Sequence, residues 1–179
     1  MMPWFTAWSS SAFGQGLLSN VLNLDHICFA LMTGSMLFHF LQKRRLLAAA
    51  LAGNAFGIAL GASFGKIPGA QLLVGFSLIL LIAIICAPER FQRGLVFTLG
   101  GIGILHGILH ADRHGQFLSA SNLSYYIGGV VLAIAILAIA FHSLLKFLEQ
   151  RPKNLRGEVE HILIAVASGS ALAYIILSF

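Results

Sequence analysis

At 179 residues, with 58% of them hydrophobic, 9% charged and a mean hydropathy of +0.89, the chain is too poor in charge for a soluble domain, where about a quarter of residues are charged. The net charge of +5 is carried by basic residues between apolar segments, which excludes a nucleic-acid footprint. The two cysteines, Cys28 and Cys86, lie in separate apolar runs, form neither a disulfide framework nor a CxxC motif, and read as small core residues.

In chain order, Met1 to Ser11 carries Trp4, Phe5 and Trp8, aromatic anchors of the kind found at a membrane interface. The first basic residue is Lys43, so the stretch lacks the charged start of a cleavable signal peptide. Ala12 to Asn20 is either a short interfacial piece or an extension of the first span. Six apolar segments follow, at about 20–41, 46–64, 71–87, 94–112, 123–147 and 159–179. Each is near the ~20 residues a helix needs to cross the hydrocarbon, and helices satisfy their backbone internally in lipid. The expected fold is all-α, a six-helix transmembrane bundle forming one domain over residues 1–179.

The first, third and fifth loops hold Lys43, Arg44, Arg45, Arg90, Arg93, Lys146, Arg151, Lys153 and Arg156, whereas the second and fourth hold Lys66 and Arg113. Basic loops stay in the cytoplasm, so both termini are expected on the non-cytoplasmic side. Gly53, Gly57, Gly61 and Gly65 recur every fourth residue along one face of the second span, a ridge that admits another helix closely. Gly100, Gly103 and Gly107 thin the fourth span, and Ala133, Ala135, Ala138, Ala165, Ala167 and Gly169 suggest close packing of the last two.

Among the acids, Asp25 alone sits within an apolar span, next to His26; the fourth span ends in His106, His110, Asp112 and His114. His106 and His110 are one helical turn apart on one face. Ionisable groups inside a span are costly and mark function. Counted from the basic loops at 1.5 Å per residue, His26 and His110 lie about 26 Å from the cytoplasmic side and His106 about 20 Å. Imidazole and carboxylate at one level suit a borderline divalent metal such as Ni²⁺, Co²⁺ or Zn²⁺; an Asp25–histidinium clamp between two spans is the alternative. His114, at the headgroup level, also reads as a water-bonded helix end. His39, His142 and His161 lie near the cytoplasmic loops, either as an inner waystation for an ion or as interfacial histidines without a partner.

These residues resemble a known family. Asp25-His26 within GQGLLSNVLNLDHICFALMTG and the stretch LHGILHADRHG from Leu105 to Gly115 are similar to the two signatures of the HupE/UreJ family of nickel and cobalt permeases, and the number and order of spans agree. The resemblance implies that Asp25, His26, His106 and His110 are metal-site members, with Asp112 and His114 as further candidates. It implies transported Ni²⁺ or Co²⁺ rather than a prosthetic group, and transport rather than catalysis. The first signature of the family carries a His-Pro before the Asp-His, where this chain has Ser19 to Leu24. A glutamate three residues beyond the second histidine is replaced by Arg113, and one near the start of the third span by Gln71. The site is therefore expected to be rich in imidazole and poor in acid.

The expected partners are the lipid bilayer, a divalent metal ion and other membrane subunits, with no nucleic acid. A non-transporting accessory subunit of a larger membrane complex is the competing reading. A b-type cytochrome is disfavoured, because His26 and His39 are 13 residues apart and so rotated by about 220°. A rhomboid-type protease is disfavoured because Gly169-Ser170 lacks the surrounding GxSG pattern.

Overall fold

The structure, a computed structural model, describes residues 11–64, 68–86, 94–114, 119–151 and 155–177, without the side chains of residues 20, 21, 70, 112–114 and 120. Among the described residues there are seven helices and no strand: α1 (Ala12–Leu22), α2 (Leu24–His39), α3 (Lys43–Phe64), α4 (Ala70–Cys86), α5 (Leu95–His114), α6 (Ala120–Glu149) and α7 (Leu155–Ile176). The aromatic anchors Trp4, Phe5 and Trp8, and Gly65 of the glycine ridge, lie outside the described residues.

The first expected span, 20–41, is not one continuous helix. Asn23 takes an extended backbone (φ −105°, ψ 118°), and the Ala12–Ser19 and Leu24–His39 segments meet at a 73° bend. The Asn23 side-chain amide donates to the Ser19 carbonyl at 2.7 Å, competing with the helix for that acceptor. The Asn23 carbonyl meanwhile accepts from His26 and Ile27 N–H, both at 3.1 Å, and so starts α2. By length and composition α3, α6 and α7 are sufficient to cross a membrane, and the bent α1–α2 pair has the make-up of either a broken span, which would be a fourth crossing, or a re-entrant loop. The apolar parts of α4 and α5, Gln71–Cys86 and Leu95–Ala111, are shorter.

Helix α2 is the axis of the bundle: eleven of its sixteen residues are buried. Helix α3 lies directly on α5. A methyl group at Gly53, Gly57 or Gly107 would fall on the backbone of Gly100, Ile104 or Asn54 respectively, so side-chain-free surfaces bring the two backbones together. Gly16 of α1 and Gly129 of α6 meet the backbones of Tyr126 and Phe13 in the same way. The last helix is different: Ala165 and Gly169 are exposed, and nothing lies within 4 Å of a methyl placed at Gly169. Ala167, the third of the set, is buried, as are Ala133 and Ala138 of α6. Cys28 is buried, but Cys86, expected in the core, is exposed at the end of α4. Phe56, Phe76, Ile79, Ile136, Ile139 and Leu172 also point outward, an apolar exterior suited to hydrocarbon.

Candidate metal centre

The break at Asn23 places Asp25 and His26 in the first turn of α2 rather than in mid-helix. The peptide dipoles of a helix start favour negative charge there, which offsets part of the cost of burying the Asp25 carboxylate. Each of the two residues is 1% exposed, and the Asp25 Oδ2 to His26 Nδ1 distance is 3.4 Å. Helix α5 delivers His106 and His110, both fully buried, because its Gly103 and Gly107 let it sink onto Ala50 and Asn54 of α3.

One donor atom from each of Asp25, His26 and His106 falls within 4.8 Å of the others. The His110 ring stacks on that of His26, with centroids 3.5 Å apart and planes 10° from parallel. His106 stands edge-on to His26 at 6.1 Å and 67°. On its far side Phe29 covers His106 at 4.5 Å. Three imidazoles and one carboxylate are thus buried side by side.

Two hydroxyls orient the rings. Ser77 Oγ donates to the Val74 carbonyl at 2.8 Å and lies 3.1 Å from His106 Nε2. With that proton on Val74, the hydroxyl is placed to accept from a His106 Nε2–H, the tautomer that would present Nδ1 to an ion. Tyr126, fully buried on α6, donates to Ser19 Oγ at 3.5 Å, and Ser19 passes its own proton to the Gly16 carbonyl at 2.8 Å. The Tyr126 oxygen is 3.4 Å from His110 Nδ1, which places it to accept from an Nδ1–H tautomer of that ring. Partners behind the ligands fix tautomer and orientation in metal sites.

Sequence reasoning did not include Ser77 or Tyr126. The signal was present: Ser77 is 13 residues before Arg90, as His106 is 13 residues after Arg93, which puts both about 20 Å from the same side. Ser19, in the stretch that lacks the His-Pro of the family, belongs to the hydroxyl relay. The side chains of Asp112 and His114 lie outside the described residues, although α5 continues through His114. Gln71 is exposed and lines a cavity of about 540 Å³ with Leu24, Ser170 and Tyr174, adjacent to the Asp25 turn. Of the three histidines at the other end of the bundle, His39 has a partner: its Nε2 is 2.7 Å from Glu160 Oε1. His142 lies beside Phe38, with ring centroids 6.3 Å apart, and His161 is exposed.

From residue 5 to residue 173 the sequence matches the family model described as HupE / UreJ protein. No curated protein matches the chain, and no solved structure does.

Proposed function

The chain belongs to the HupE/UreJ family, and from that premise we propose that it is an integral membrane permease for a divalent metal ion, nickel or cobalt, carried as cargo. The observation that carries this reading is the buried convergence of Asp25, His26 and His106 donor atoms within 4.8 Å. In our reading the bent α1–α2 pair is one pass and α3 to α7 supply five more. Both termini then lie on the non-cytoplasmic side, where the basic-loop bias puts them.

The ion enters from the outer cavity lined by Leu24 and Gln71 and exchanges water for the Asp25 carboxylate and the imidazoles of His26, His106 and His110. Neutral imidazole nitrogen and one carboxylate oxygen make a borderline donor set, which suits Ni²⁺ and Co²⁺ better than Mg²⁺ or Ca²⁺. One carboxylate leaves a net positive charge on the loaded site, so binding is weak enough for release. Acid weakens it further, because the ion must displace protons from imidazole.

Uptake of Ni²⁺ and Co²⁺ into proteoliposomes tests the reading. Wild-type protein is expected to transport, with uptake falling as the medium is acidified, because protons compete with the ion for imidazole nitrogen. Asp25→Asn and His106→Ala should each lower it at least about tenfold, the scale on which metal sites respond to lost partners. Absence of uptake by the wild type, together with purification in a stoichiometric membrane assembly, would replace the permease by the accessory-subunit reading.

A further inference from the structure

The permease reading uses the Asp25 end of α2, yet the other end of the same helix carries a second polar group set. His39, the last residue of α2, places Nε2 2.7 Å from Glu160 Oε1 on α7, and Ser35 Oγ donates to the same oxygen at 2.8 Å. Ser35 is fully buried; the Glu160 side chain is 12% exposed and that of His39 24%. His39 also lines a cavity of about 380 Å³ together with Gln42, Arg45 and Gly94. The pair therefore reaches the cavity through His39, with Ser35 buried behind Glu160. Arg156, one turn before Glu160, bonds Glu149 at 3.3 Å and covers the Phe38 ring at 5.2 Å, and its charge also reaches Glu160, so an ion at the pair needs the Arg156–Glu149 bond to hold that guanidinium aside.

We propose that His39 and Glu160, assisted by Ser35, form a second divalent-cation station at the inner mouth of the bundle, which receives the ion after it leaves the Asp25 site. This proposal rests on the permease reading for its direction. The chemistry is that of an imidazole nitrogen and a carboxylate oxygen, the same borderline donor pair as at the outer site. Two donors about 2.1 Å from one ion and at right angles stand about 3 Å apart, close to the spacing found here. An ion can therefore replace the shared proton with little movement.

The two stations lie on one face of α2. His39 is 14 residues after Asp25, about 21 Å along the axis and only about 40° around it. Between them Cys28, Met32, Ser35 and Met36 fall within about 80° of the same direction, and all four are buried. Thiol and thioether sulfur are polarizable donors, so the face joining the stations is not inert hydrocarbon.

Co²⁺ binding to the purified, detergent-solubilised protein, counted by equilibrium dialysis and by its visible absorption, tests the proposal. Wild-type protein is expected to bind two Co²⁺ per chain. Glu160→Gln, His39→Gln and Asp25→Asn should each bind one, and Asp25→Asn/Glu160→Gln none. Ser35→Ala, which keeps the His–Glu pair, should weaken one of the two sites several-fold and serves if Glu160→Gln fails to fold. One Co²⁺ in the wild type, lost in Asp25→Asn and kept in Glu160→Gln and His39→Gln, would overturn the inner station and leave the permease site standing. One Co²⁺ lost in Glu160→Gln and kept in Asp25→Asn would do the reverse. No Co²⁺ in the wild type would overturn both.

Discussion

Ser77 gives its own proton to Val74 and stands 3.1 Å from His106 Nε2; Tyr126 stands in the same relation between Ser19 and His110 Nδ1. Each hydroxyl costs little by itself, since its bonds are made inside the bundle, and in the proposed permease the two would select which imidazole nitrogens face the ion. Ser77→Ala and Tyr126→Phe should therefore weaken Ni²⁺ binding about tenfold each, with unfolding temperatures nearly unchanged; isothermal titration beside a thermal melt separates the two effects. An equal affinity in all three proteins would mean the rings are held by packing alone. Gln71 tests the acid deficit. It is exposed on the cavity beside the Asp25 turn, so a carboxylate there costs little desolvation and adds one negative charge to the proposed approach. Gln71→Glu is expected to raise Ni²⁺ uptake several-fold at low ionic strength and less in salt, because screening shortens the reach of that charge. Uptake unchanged in both conditions would show that the missing acid is harmless.

At the scale of the element, the site depends on how closely α5 approaches α3. Gly107 lies between His106 and the turn that carries His110, and a methyl there would fall on the Asn54 carbonyl. Gly107→Leu must push the helices apart, and overpacking of this kind costs about 1–3 kcal/mol or more. We expect a lower melting temperature in detergent and loss of Co²⁺ binding, whereas Gly169→Leu, in open space, should match the wild type in both. If Gly107→Leu melts and binds normally, the α3–α5 contact does not position the histidines. The break at Asn23 is the second decisive element. It turns a buried mid-span aspartate into one at a helix start, where peptide N–H groups face it. The polar spacing Asn20, Asn23, Asp25 inside an apolar run is a helix-start signal, outweighed in the sequence by the continuity of hydrophobic residues around it.

For the molecule as a whole, the polar features separate by end. Leu24, Gln71 and Tyr174 line one chamber and His39, Arg45 and Gly94 the other. Helix α4, with 17 residues, rises only about 26 Å, less than the ~30 Å of a typical hydrocarbon core. In the proposed six-pass reading such a helix would span by drawing the bilayer in locally. The native cysteines report on the topology without mutation, because Cys86 is exposed at the end of α4 while Cys28 is buried. A membrane-impermeant maleimide should label Cys86 in inside-out vesicles and not in right-side-out cells, with Cys28 unreactive in both until the protein is denatured. Labelling of Cys86 from outside would reverse the assignment of both chambers.

The sequence by itself determined what depends on composition and on counting along one helix. Apolar length required helices, and the rise per residue brought Asp25, His26, His106 and His110 to one depth. The two signatures pointed to the family that the match over residues 5–173 then showed. Tertiary structure alone decided which faces those residues turn to one another, that the His26 and His110 rings stack, that Ser77 and Tyr126 stand behind the imidazoles, and that His39 meets Glu160, 121 residues later in the chain. The reason is physical. Depth is set by the translation of a single helix, which sequence spacing fixes. Contact between helices depends on their rotation and crossing, and these follow from where glycine lets backbones touch, a property of pairs of surfaces that no single span contains.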